Sequence, residues 1–84
     1  MELSNETKRV ALQNVITTTS TEIYSLCLQV GIDPDTIDPE NPEASFPDPM
    51  TEADPSFYSF SRLSRACSAL VLANGKLAAL DSQG

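Results

Sequence analysis

Histidine and tryptophan are missing from this 84-residue chain. Without histidine it lacks the side chain that most often serves as a general base near neutral pH and as a transition-metal ligand. Glycine is scarce, and its three positions, Gly31, Gly75 and Gly84, are isolated, so no glycine-rich phosphate loop can be assembled. No run of 18 consecutive apolar residues occurs, and the longest apolar stretch, Ala66 to Leu80, is broken by Ser68, Asn74, Gly75 and Lys76. A membrane span is not expected from such a pattern. The opening residues Met1-Glu2-Leu3-Ser4-Asn5-Glu6 have neither the basic start nor the apolar centre of a secretory signal, so the expected location is cytoplasmic.

Bases are few as well. Five Lys and Arg stand against twelve Asp and Glu, for a net charge of −7 and a pI near 4.1. That balance argues against direct binding to nucleic acid or to an anionic membrane. The charge is also segregated along the chain. Residues 31–55 hold eight acids (Asp33, Asp35, Asp38, Glu40, Glu43, Asp48, Glu52 and Asp54) and no base, and all six prolines fall in the same window. Proline lacks an N–H and blocks a regular helix or an inner strand, so this window reads as a long connector between two apolar segments.

The first segment spans about residues 5–30. Leu12, Val15, Ile16, Ile23, Leu26, Cys27 and Val30 follow three- and four-residue steps, the period of an amphipathic helix. The run Thr17-Thr18-Thr19-Ser20-Thr21 opposes this, because hydroxyl and β-branched side chains lower helix propensity and can bond back to carbonyls. Gly31 followed by Asp33-Pro34 supplies the stop, and Asp33-Pro34-Asp35-Thr36 is expected to form one further turn.

The second segment spans about residues 55–80, with Asp54-Pro55 as its start signal. Phe60, Leu63, Cys67, Leu70, Asn74 and Leu77 are spaced 3-4-3-4-3, a heptad seam with Asn74 at an inner position. Asn74-Gly75 offers two competing outcomes: a helix ending near 73, or a hairpin turn between short strands. The continuous seam and alanine-rich flanks favour the helix.

The fold expected is therefore all-α: a single small domain, residues 1–84, made of a two-helix hairpin with a long acidic, proline-rich connector. One hairpin buries little surface for its length, and Ile23 to Val30 is apolar around most of the helix. Completion by oligomerisation or by docking on a larger protein is thus expected. The residues expected to form that interface are Ile23, Leu26, Leu28, Val30, Phe60, Leu63, Leu70 and Leu77.

Catalytic and metal-binding readings find little support. Measured from Asp33, an EF-hand needs an oxygen ligand at Ile37, a glycine at Asp38 and a glutamate at Ala44, so the acidic run fails on spacing and no cofactor is expected. Cys27 and Cys67, without histidine to activate them, read as small buried hydrophobes. Ser64 and Ser68 beside Arg65 could accept a phosphate, but the plainer reading of Arg62, Arg65 and Lys76 is a solvated basic stripe against which the connector folds back.

Two function classes follow. The first is a non-enzymatic interaction or assembly module whose partner is a second copy or a larger protein. The second is an acidic decoy in which Asp33, Asp35, Asp38 and Glu40 imitate phosphates and occupy a basic groove of a nucleic-acid-binding protein, a device used by small phage and mobile-element proteins. Phe46 and Met50 are the connector's two apolar anchors, able to pin it across the hairpin or enter a partner pocket.

Overall fold

The computed structural model describes residues 2–46 and 54–82. Within them the chain forms two helices of 26 residues, α1 (Asn5–Val30) and α2 (Phe57–Ser82), packed against each other. A short 3-10 helix, Pro42–Ser45, lies between them.

Local chemistry sets the ends of α1. Ser4 caps its start, with Oγ accepting the Thr7 amide at 3.1 Å while the hydroxyl donates to Thr7 Oγ1 at 2.9 Å. The threonine run does not interrupt the helix. Thr19 Oγ1 donates to the Val15 carbonyl at 2.7 Å and Thr21 Oγ1 to the Thr17 carbonyl at 2.9 Å. These hydroxyls therefore bond within the helix itself. At the far end Gly31 takes the left-handed conformation, φ 83°, which a side chain would strain. Its amide and that of Ile32 both turn back to the Cys27 carbonyl, and Ile32 packs against the core that contains Cys27. The Ile32 bond and apolar contact are those of a Schellman stop, and the Gly31 bond is that of the simpler left-handed cap.

Helix α2 begins two residues later than the Asp54-Pro55 signal implies. Asp54 Oδ1 accepts the Ser56 amide at 2.8 Å, and the Asp54 carbonyl accepts the Phe57 amide at 3.0 Å. The Asp-Pro pair thus forms a turn that delivers the chain to the helix. The helix also passes Gly75 and continues to Ser82. Glycine costs about 1 kcal/mol in a helix interior, and burial of Leu80 with partial burial of Leu77 offsets it.

The seam on α2 departs from the strict heptad. Ala73 is buried and Asn74 is exposed, because a straight helix drifts about 20° per heptad relative to a 3.5-residue repeat. An amide side chain at an inner position is thereby avoided.

The core sits at the connector end of the hairpin. Ile23, Leu26 and Cys27 from α1 meet Leu63, Ala66 and Cys67 from α2, and Leu26, Leu63 and both cysteines have almost no exposed surface. Ile32, Ile37 and Phe46 from the connector pack onto this cluster. The Phe46 ring lies 4.8 Å from that of buried Phe60, tilted by 54°. The connector is thus a third wall of the core, and Phe46 pins it to the hairpin. Met50 lies outside the described residues.

Toward the opposite end the packing thins. None of residues 5–22 is buried, and that end is held partly by Arg9, whose Nη2 reaches Asp81 Oδ1 at 2.9 Å. The Cα radius of gyration is 15.0 Å, against about 12 Å for a compact chain of this length. Much helical surface therefore faces solvent.

Candidate interaction surface

The structure divides the eight expected interface residues into three groups. Ile23, Leu26, Phe60 and Leu63 are buried inside the hairpin, so their apolar surface is already used within the chain. Val30, Leu70 and Leu77 are half-buried. Leu28 alone is largely exposed, at 62%. Four of the eight are therefore enclosed within the hairpin itself, and Leu28 is the most exposed of the other four. Periodicity finds apolar residues at contact spacing but is silent on whether the contact lies within one chain or between two.

The exposed apolar residues of α1 and its lead-in are Leu3, Val10, Val15, Tyr24 and Leu28. Three of them share a strip. Thr7, Val10, Asn14, Thr17, Thr21, Tyr24 and Leu28 follow a 3-4-3-4-3-4 spacing within α1, which aligns them along one side of the helix, whereas Leu3 precedes the Ser4 cap and lines a groove with Lys76, Ala79 and Leu80 of α2. All seven are exposed, and the strip lies roughly opposite the buried face that carries Ile23, Leu26 and Cys27, with Thr17 and Thr21 bordering the groove that Arg62 lines. Ser20, Thr21, Tyr24, Ser25 and Leu28 line a shallow concavity on it.

This strip carries no charge between Thr7 and Leu28. From Val10 to Val30 the single charged residue is Glu22, and it turns toward α2, with Oε1 3.4 Å from Arg62 Nη2. The signal that could have found the strip was a second apolar seam offset from the first, in a stretch nearly free of charge.

The connector's carboxylates sit elsewhere. Asp33, Asp35, Asp38, Glu40 and Glu43 are all exposed. Asp33 Oδ1 accepts the Asp35 amide and Asp38 Oδ1 the Glu40 amide, each at 3.0 Å. The same side-chain turn thus recurs at Asp33-Pro34, Asp38-Pro39 and Asp54-Pro55: proline presets the backbone and aspartate accepts the amide two residues on. The first of these is the turn expected from sequence; its recurrence at Asp38 was not anticipated. Asp48 and Glu52 lie outside the described residues.

Among the described residues no ion pair joins a connector carboxylate to a base. Arg62 turns to Glu22 and Arg9 to Asp81 and Glu6, so the expected contact of the connector with the basic stripe is not formed there. Asp38, Pro39 and Glu40 lie beside Val71, Asn74 and Gly75 on one side of α2. Arg62 lines a groove with Thr18, Ser25 and Gln29, and Lys8 and Lys76 line another with Leu12 and Leu80. Helical spacing sets Arg62 and Lys76 on the side of α2 away from Phe60, Cys67 and Asn74, so the acids and bases occupy different sides of the hairpin.

Both thiols are free and fully buried. Burial pushes Cys27 up from its ordinary value near 9.0, and it does the same to Cys67, with smaller upward contributions from Cys27 and the Asp38 carboxylate. Neither thiol is poised as a nucleophile. Among the described residues no three His, Cys, Asp or Glu side chains cluster as metal ligands, and no helix is long and apolar enough to cross a membrane. Compared with protein-family models, curated proteins and solved structures, the chain matches none.

Proposed function

We propose that the chain is a non-enzymatic protein–protein interaction or assembly module acting through the outer face of α1. The observation that carries this reading is the uncharged strip from Thr7 to Leu28, with Val10, Tyr24 and Leu28 about half exposed or more on a chain of net charge −7. Interface centres are depleted in charge and enriched in tyrosine relative to other surface. Solvent contact alone gives no reason to keep charge off one side of a 26-residue helix. The partner is a second copy or a larger protein.

The test is capture of partners from extract of the source cell on the immobilised chain, comparing wild type with Tyr24→Lys and Leu28→Lys. Each variant is expected to lose about thirtyfold or more in affinity, the effect of removing a well-packed interface anchor. Helicity should be unchanged, since both side chains are exposed. Equal capture by all three proteins would refute the reading.

A second reading, the acidic decoy, draws support from the exposure of Asp33, Asp35, Asp38 and Glu40 on a connector pinned by Phe46 and set apart from the bases. It requires affinity that falls steeply with salt. Replacing these four with Asn or Gln would then lower both the affinity and the salt slope.

A further inference from the structure

Where the packing of the hairpin thins, away from the connector, α1 and α2 enclose a groove of about 450 Å³. We propose that this groove is a binding site for a single-chain aliphatic anion, its tail lying in the trough and its acidic head held between Lys8 and Lys76.

The groove follows from side-chain size. Ala11 of α1 and Ala79 of α2 both line it, and alanines on facing helices leave unfilled the space that longer side chains would occupy. Leu3, just before the Ser4 cap, joins Leu12 and buried Leu80 to make its apolar wall. A volume near 450 Å³ lies within the range of small-molecule clefts, about 300 to 1,000 Å³. A protein partner would instead cover a broad face of about 800 Å².

The lining also selects the chemistry of the ligand. Five of its seven side chains are leucine or alanine and the other two are lysine. Among the described residues no hydroxyl, amide or aromatic side chain lines the groove to orient a sugar or stack on a nucleobase. A ligand matched to this surface is aliphatic along its body and negative at one end.

Charge supplies an independent argument. Lys8 and Lys76 are two of only five bases on a chain of net charge −7, and the fold brings both to one groove. The carboxylates Glu6 and Asp81 at this end of the hairpin are engaged by Arg9, at 3.9 and 2.9 Å. Among the described residues no ion pair reaches either lysine. Two like charges lining one groove repel each other, and an anionic head between them turns that repulsion into two attractions. An ammonium takes a carboxylate or a phosphate alike as a point charge, so a fatty acid and a phosphate-headed chain both satisfy the site. The groove shares no residue with the α1 strip, so its occupancy does not depend on a protein partner.

Decanoate, kept below its micellar concentration and titrated into the isotope-labelled full chain, tests this by the shifts of backbone amide resonances. Shifts are expected at Ala11, Leu12, Ala79 and Leu80, with a dissociation constant on the order of 0.1 to 1 mM for a ligand of this size. Acetate, a head without a tail, and octyl glucoside, a tail without an acid, should each bind at least about fivefold more weakly. The double variant Lys8→Gln, Lys76→Gln should lose about tenfold in decanoate affinity. Ala79→Leu or Ala11→Leu, each filling the trough from an exposed position, should lose about as much, with helicity unchanged. Arg65→Gln, which removes one exposed base outside the groove, should bind like wild type. Decyl phosphate in a parallel titration separates the two sources, the tighter ligand naming the head. Absence of shifts at the groove with both anions up to about 5 mM would overturn the proposal. So would equal decanoate affinity in wild type and the double lysine variant, or octyl glucoside binding as tightly as decanoate.

Discussion

Phe46→Ala is the perturbation that most directly asks whether the acidic connector belongs to the folded core. The Phe46 ring is half-buried, packs onto the core cluster, and meets the buried Phe60 ring at 4.8 Å. Truncating a fully buried phenylalanine costs about 3 to 5 kcal/mol. Partial burial of this ring scales that to about 2 kcal/mol, and the lost aromatic pair adds about 0.5 to 1.5 kcal/mol. A total near 3 kcal/mol is expected. It is a large share of the roughly 4 to 13 kcal/mol that a chain of this length possesses, equivalent to a fall in Tm of about 15 °C. The assay is urea unfolding at fixed protein concentration, followed by far-ultraviolet circular dichroism, which reports the two helices rather than the connector. Phe46→Leu should fall between wild type and alanine. If Phe46→Ala moves the helical transition by less than about 0.5 kcal/mol, the connector undocks independently of the hairpin, and its role as a third wall of the core is refuted.

Cys27 and Cys67 should resist a thiol reagent in the native state near pH 8 and react only on unfolding, since both are fully buried with raised pKa values. The folded thiols hold their protons above the unfolded value near 9.0, so their contribution to stability is complete below about pH 9 and is lost as the pH rises through the folded value; unfolding midpoints across that range measure it, and a flat profile would contradict the burial. Asp38→Ala removes the acceptor of the Glu40 amide and is expected to cost about 0.5 to 1 kcal/mol. Asp38→Asn, which keeps an acceptor oxygen, should cost less than half as much in the same unfolding assay. Equal losses in the two variants would show that charge, not the turn bond, is what this side chain contributes.

Signals within a few residues of one another were legible directly. The three- and four-residue period of Leu12 to Val30, the stop at Gly31 and the turn at Asp33-Pro34 each rest on chemistry inside one helical turn, and the structure shows the same devices in place. The end of α2 was less legible. Gly75 lowers local helix propensity, while the burial of Leu80 that carries the helix onward depends on a distant part of the chain.

The strip on α1 was half legible. Apolar residues around most of Ile23 to Val30 indicated a helix covered on more than one side, yet four of the eight residues assigned to an outside partner, Ile23, Leu26, Phe60 and Leu63, are buried between the two helices. Side-chain period gives a helix its faces and leaves open which one meets a helix some forty residues away.

By itself the sequence determined the two helices, the stop of α1 at Gly31, the acidic proline-rich window between them, and the near-absence of charge from Val10 to Val30. Each follows from covalent geometry and short-range hydrogen bonding, which act wherever the residues stand. Only the tertiary structure decided that Ile23, Leu26, Phe60 and Leu63 are spent inside the hairpin, and that Ala73 replaces Asn74 in the seam. It also decided that the connector is pinned by Phe46 on the side away from Arg62 and Lys76. Those outcomes depend on how two 26-residue helices rotate about their own axes to bury the most apolar surface together, a choice made by packing between residues far apart in the chain.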